Sequence, residues 1–163
     1  MVALAEGLAP LLEIVRFNFP YVERKSRRPD PMPVLMETIR GKAKAHPSCL
    51  LGGRSMGGRA ASMLAAEGFP CAGLLLFAYP LHPAGQQDKL RTAHLPDIRV
   101  PVLCFNGTRD DLCDRALMEK TVGGLKGWTQ HWLQGARHSF GAEAMDEVAR
   151  VTAAWLRDCT NVQ

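Results

Sequence analysis

Eight consecutive residues, Ala72 to Tyr79, read AGLLLFAY. None is charged and no polar position alternates with the apolar ones, so a strand made of them has no face to offer water. A sheet with one solvated face needs a polar residue at about every second position; a parallel sheet covered on both faces does not. Val100 to Asn106, VPVLCFN, has the same character, and Cys49 to Gly52 is a shorter run of the kind. Helical patterns lie between them. Leu35, Ile39 and Ala43 recur at four-residue steps across Val34 to Ala45, and Met56 to Glu67 is rich in Ala, Met and Leu. Asp111 to Val122 reads as a helix ending at Gly123-Gly124. Met145, Val148, Val151, Thr152, Trp155, Leu156 and Cys159 form one stripe on a last helix. Val2 to Leu8 reads as the end of a helix, Leu12 to Phe19 (LEIVRFNF) as a strand stopped by Pro20, and Trp128 to Leu133 as another strand. Strands that alternate with helices predict a three-layer α/β/α sandwich around a mostly parallel, doubly wound sheet.

The length of 163 residues fits a single domain over 1–163. With 47% hydrophobic and 22% charged residues, the chain can bury a core of useful size. The net charge of +4 is modest. Its densest basic stretch, Arg24-Lys25-Ser26-Arg27-Arg28, could attract phosphate, but no aromatic stacking set accompanies it, and a solvated loop is the better reading. No nucleic-acid partner is therefore expected. The five cysteines, Cys49, Cys71, Cys104, Cys113 and Cys159, form no CxxC and no metal spacing with His. Cys49, Cys71 and Cys104 lie in or beside apolar runs, as small buried hydrophobes do. Reduced thiols and a cytoplasmic setting follow as expectations. No apolar run reaches the roughly 18 residues of a membrane span, and the N-terminus lacks a basic signal-peptide start.

Ligands of doubly wound sheets sit beyond the carboxyl ends of the strands, so the residues after each strand matter most. Gly53-Arg54-Ser55-Met56-Gly57 follows the Cys49 strand and opens a helix. A G-x-S-x-G there sets the serine on a tight strand-to-helix turn whose neighbours must lack bulk. The hydroxyl is lifted into the open, and the N–H of Met56, at the helix start, can face a developing oxyanion. A phosphate-binding loop is excluded because no Lys-Ser or Lys-Thr follows the glycines, and the G-x-G-x-x-G dinucleotide pattern is not met. A serine hydroxyl needs a base to become nucleophilic. NGTRDD, Asn106 to Asp111, follows the Val100 strand; QGARHSF, Gln134 to Phe140, follows the Trp128 strand. Serine, acid and histidine in that chain order is the α/β-hydrolase arrangement. Asp110 is preferred over Asp111 as the acid, because Asp111 is better placed to cap a helix starting near Leu112. Asp114 reads as a first-turn helix acid. His138 is the late post-strand histidine; His46, His94 and His131 sit at a helix end, in a polar loop and inside a strand. Arg54, Tyr79 and His82 are candidates for lining a substrate pocket, with Arg54 and Arg59 either favouring an anionic substrate or serving as plain surface charges.

RFNFPYVE, GGRSMGGRAAS, FAYPLHPAG, FNGTRD and ARHSF occur in this order over nearly the whole chain. As a set they resemble the dienelactone-hydrolase-like branch of the α/β-hydrolases, in the group with the testis-expressed and NSL-complex-subunit-like proteins of animals. The resemblance implies an α/β-hydrolase fold and a Ser55–Asp110–His138 triad, with no metal or organic cofactor. It also implies a departure. Family members carry earlier strands and a loop resembling His-Gly-Ala-Gly-Gly, which supplies a second oxyanion N–H, and this chain begins after them. Either its start lies further upstream, or it is an N-terminally truncated form with half an oxyanion hole. The loss of one such donor costs about 10²–10³ in rate. A sheet missing inner strands would expose an edge, which dimerisation through that edge would cover.

Two functions follow as expectations. One is a serine hydrolase acting on a small-molecule ester, thioester or amide. The other is a non-catalytic interaction module that keeps the hydrolase scaffold.

Overall fold

The computed structural model describes residues 2–46 and 48–160. Four strands, β1 (Leu50–Arg54), β2 (Gly73–Phe77), β3 (Val102–Gly107) and β4 (Trp128–Leu133), form one sheet in the order β1-β2-β3-β4, every pair parallel. The helices are α1 (Val2–Leu8), α2 (Pro20–Glu23), α3 (Met32–Ala43), α4 (Met56–Ala66), α5 (Arg115–Val122) and α6 (Met145–Thr160).

Side-chain alternation divides the interior strands between two cores. Leu74 and Leu76 of β2 and Val102 and Cys104 of β3 join Leu35 and Ile39 of α3, Leu64 of α4 and Met118 of α5. Their neighbours Leu75, Phe77, Leu103 and Phe105 join Leu4 and Leu8 of α1 and Val148 and Trp155 of α6. Every residue of β2 and β3 is buried, as the unbroken apolar runs require. Fully burying one such leucine stabilises the fold by about 1.5–3 kcal/mol. The architecture is the three-layer parallel sandwich that the alternation of patterns predicts.

Leu12 to Phe19 is where the fold departs most from that reading. The segment is rich in strand formers but pairs with no strand among the described residues. Leu12 packs against the α1/α6 core and Phe19 against the α3/α4 core, so the segment passes from one face of the sheet to the other. Strand propensity is realised only beside a neighbour, and the segment is offered none. Its apolar side chains Ile14, Val15 and Phe17 are exposed. Among the described residues β1 pairs on one side only, with β2.

The helix expected over Asp111 to Val122 starts later, at Arg115. Asp111 is exposed and caps nothing; Asp114 is the N-cap, its Oδ1 accepting the Leu117 N–H at 2.9 Å. Of the cysteines expected in the core, Cys104 is buried, whereas Cys49 and Cys71 are half-buried; Cys113 is also buried. Arg24, in the basic stretch, is bound within its own loop to Asp30 at 2.6 Å. No helix among the described residues is long and apolar enough to cross a membrane.

Candidate active site

Parallel strands bring their carboxyl ends to one rim, and three side chains far apart in the chain meet there. Ser55 follows β1 directly, Asp110 lies in the turn after β3, and His138 lies in the loop after β4. His138 Nε2 is 2.8 Å from Ser55 Oγ. His138 Nδ1 is 3.0 Å from Asp110 Oδ1 and 2.9 Å from Oδ2. A carboxylate only accepts, so Nδ1 carries the ring proton and Nε2 faces the serine as an acceptor. The Asp110 side chain is fully shielded from solvent while His138 remains partly open. Asp110 Oδ1 also accepts the Leu112 N–H at 2.9 Å, which fixes the carboxylate within its turn. Asp111, the other acid weighed from sequence, points to solvent.

The turn at Ser55 is strained. Its φ of 52° and ψ of −120° lie where a non-glycine residue costs about 1–3 kcal/mol. That conformation carries the chain from strand to helix in one step and presents the hydroxyl at the rim. The steric requirement falls on Gly53 and Gly58 rather than on the motif glycine Gly57. A Cβ at Gly53 would lie 2.7 Å from the Gly57 carbonyl carbon, and one at Gly58 would lie 2.7 Å from the Gly53 oxygen. At Gly57 the nearest atom would be a Phe19 ring carbon at 3.6 Å, an ordinary contact. Met56 opens α4, and the first N–H groups of a helix have no partner in a preceding turn. At the last residue of β3, a Cβ on Gly107 would collide with the Ala136 carbonyl, so only glycine lets the histidine loop cross close to Asp110.

The three pocket candidates have different fates. Tyr79 is fully buried, and its hydroxyl donates to the Arg91 carbonyl at 2.8 Å; burial raises its pKa strongly. It is a core residue and not a pocket wall, because the chain just after β2 turns its ring into the α3/α4 core. His82 is also buried. Its Nδ1 donates to the Pro83 carbonyl at 2.9 Å, and its Nε2 accepts the Asp114 N–H at 3.0 Å. It faces a cavity of about 660 Å³ lined also by Thr108, Arg109, Asp110 and Asp111, but both ring nitrogens are spent on backbone. Arg54 turns to the histidine loop: its Nη2 donates to Ser139 Oγ at 2.6 Å and to the His138 carbonyl at 3.2 Å.

A second serine–histidine pair exists and differs in kind. Ser62 Oγ lies 2.8 Å from His94 Nε2, yet its proton goes to the Arg59 carbonyl at 2.8 Å, so the serine accepts from the imidazole. Ser62 is fully buried, and desolvation, aided by the Arg59 charge, lowers the His94 pKa to about 4. This pair holds α4 to the loop before β3. Asn106, which carries no motif signal, does similar work at the rim: its Nδ2 donates to the Tyr79 carbonyl at 3.0 Å, and its Oδ1 accepts from Gln130 at 3.4 Å.

A family model described as alpha/beta hydrolase domain matches residues 1–158. Solved structures share the fold at low identity. A predicted CIB-like hydrolase from Thermoplasma acidophilum is 23% identical, with a TM-score of 0.64 over 78% of this chain and 60% of that one. An alpha-beta serine hydrolase homologue from Coxiella burnetii is 23% identical, with a TM-score of 0.71 over 96% of this chain and 74% of that one. The esterase domain of a Rhodothermus marinus protein is 19% identical, with a TM-score of 0.71 over 96% and 78%. The chain therefore spans about three fifths of the first of these and about three quarters of the other two.

Proposed function

The chain belongs to the alpha/beta hydrolase domain family, and on that premise we propose that it is a serine hydrolase acting on a small-molecule ester, thioester or amide. One observation carries the reading: a serine on a strained elbow, 2.8 Å from an imidazole whose far nitrogen is held by a buried carboxylate. Ser55 Oγ attacks the substrate carbonyl carbon while its proton passes to His138 Nε2. Asp110 keeps the imidazole in the accepting tautomer and stabilises the imidazolium that forms. The carbonyl oxygen becomes an oxyanion facing the Met56 N–H. As the intermediate collapses, His138 returns the proton to the leaving alcohol, thiol or amine. Water then attacks the acyl-Ser55 ester by the same route, releasing the acid and restoring the hydroxyl. The cycle draws on no metal or organic cofactor. The Rhodothermus structure is named an esterase domain, which favours an ester substrate. The set of segments around Ser55, Asp110 and His138 supports a place beside the dienelactone-hydrolase-like branch, and hence a small acyl group.

The test is hydrolysis of p-nitrophenyl acetate together with labelling by a fluorophosphonate probe. Ser55→Ala and His138→Ala should each lower kcat by about 10⁶-fold and Asp110→Asn by about 10⁴-fold, and Ser55→Ala should abolish labelling. Asp111→Asn should leave turnover unchanged. Labelling of Ser55→Ala equal to the wild type would remove Ser55 from the chemistry. No turnover of any ester by the wild-type chain would favour the interaction-module reading instead.

A further inference from the structure

Arg54 stands next to the nucleophile, and its guanidinium is engaged by the protein itself. One nitrogen, Nη2, makes two hydrogen bonds to the loop that carries His138: 2.6 Å to Ser139 Oγ and 3.2 Å to the His138 carbonyl. The shorter bond has the length of a charge-assisted contact, which is about twice as strong as a neutral one. Phe140, at the far end of the loop, packs against the α1/α6 core, but His138 and Ser139 have few other ties. Among the described residues, the backbone of 137–140 enters no backbone–backbone hydrogen bond. Ser139 is exposed, and the His138 ring touches the body of the protein through Asp110 and Ser55. The two bonds from Arg54 thus join the last residue of β1, whose next residue is Ser55, to the backbone of His138 itself. They fix the distance between the serine and the imidazole from a second direction, independent of Asp110.

We propose that Arg54 is a positioning residue: it ties the histidine loop to the end of β1 and sets the Ser55–His138 approach, and it is not an anchor for an anionic substrate. The inference rests on the hydrolase reading above. A displacement of about 1 Å in a reacting pair costs about 10²-fold in rate. Removal of the tether should therefore act on kcat for any substrate, charged or not.

The experiment compares Arg54→Met, Arg54→Lys and Ser139→Ala with the wild type on two esters: neutral p-nitrophenyl acetate, and a p-nitrophenyl ester bearing a free carboxylate. Thermal melts establish that each variant is folded. Arg54→Met should lower kcat by about 10²-fold on both esters with KM little changed, and slow fluorophosphonate labelling in parallel. Arg54→Lys, which keeps one charged donor, should recover part of that loss. Ser139→Ala removes only the exposed partner and should give a smaller loss of the same kind, so the proposal stays testable if Arg54→Met does not fold. A defect confined to KM for the carboxylate ester would overturn the proposal in favour of an anion anchor, and full kcat in both Arg54→Met and Ser139→Ala would overturn it outright. Ser55→Ala separates the two levels. If it is inactive while the Arg54 variants are normal, only the tether fails; if it is active, the hydrolase reading fails first.

Discussion

At the scale of single residues, the elbow shows which glycine matters and why. The motif names Gly53 and Gly57, but the tight backbone contacts are between Gly53 and Gly58. Gly58→Ala should force the start of α4 away from β1 and cost about 1–3 kcal/mol, as overpacking does. Gly57→Ala meets only the Phe19 ring at van der Waals distance and adds a better helix former. Its melting temperature should equal or exceed that of the wild type. Thermal melts of the two variants check this; a Gly58→Ala melt as high as that of Gly57→Ala would mean that the contacts at Gly58 relax freely. The choice between Asp110 and Asp111 is also a residue-scale matter. The two share a turn and a chemistry, and differ only in which one points inward.

Elements are bounded by their caps, and α5 is the clearest case. Asp114 accepts the Leu117 N–H, and its own N–H is taken by buried His82. The helix start is thereby joined to the loop that follows β2. Asp114→Ala should cost about 1 kcal/mol and lower the melting temperature by roughly 2–4 °C, whereas Asp114→Ser should retain most of the stability. Asp111→Ala should have no such effect. A melt of Asp111→Ala as low as that of Asp114→Ala would contradict this account of the cap. Leu12 to Phe19 teaches the opposite lesson. Its residues suit a strand, but an element that needs a partner for its hydrogen bonds exists only if the fold supplies one.

For the whole molecule, the consequence that can be measured is a pH-dependent stability. His94, in the loop before β3, is held against Ser62 of α4 with its pKa lowered from 6.5 to about 4, by burial first and then by Arg59, with Asp97 opposing. The folded protein disfavours the protonated ring, so the unfolded chain takes up the proton first as pH falls. The contribution is fully present above about pH 6.5 and is lost progressively down to about pH 4. Denaturation free energies measured at pH 7, 6, 5 and 4 should fall through that window, and those of His94→Asn should fall less. Identical slopes for the two proteins would mean that the ring protonates in place.

Most of the fold is legible along the chain because its signals are local. A short apolar run without alternation that ends at a proline, such as AGLLLFAY before Pro80, reads as a strand covered on both faces, and a four-residue apolar step reads as the buried side of a helix. Such runs, interleaved with helices, imply a parallel sheet, and a parallel sheet delivers its strand ends to one rim. That Ser55, Asp110 and His138 follow three of those strands was therefore readable before any coordinate. Contacts were not. Whether Arg54 reaches a substrate or Ser139, whether Gly57 or Gly58 meets β1, and whether LEIVRFNF finds a neighbour all depend on what lies across a gap of a few ångströms. Ser139 comes from a distant part of the chain, the Gly53–Gly58 contact depends on the turn between the two, and LEIVRFNF finds no neighbouring strand among the described residues; no local periodicity records any of these.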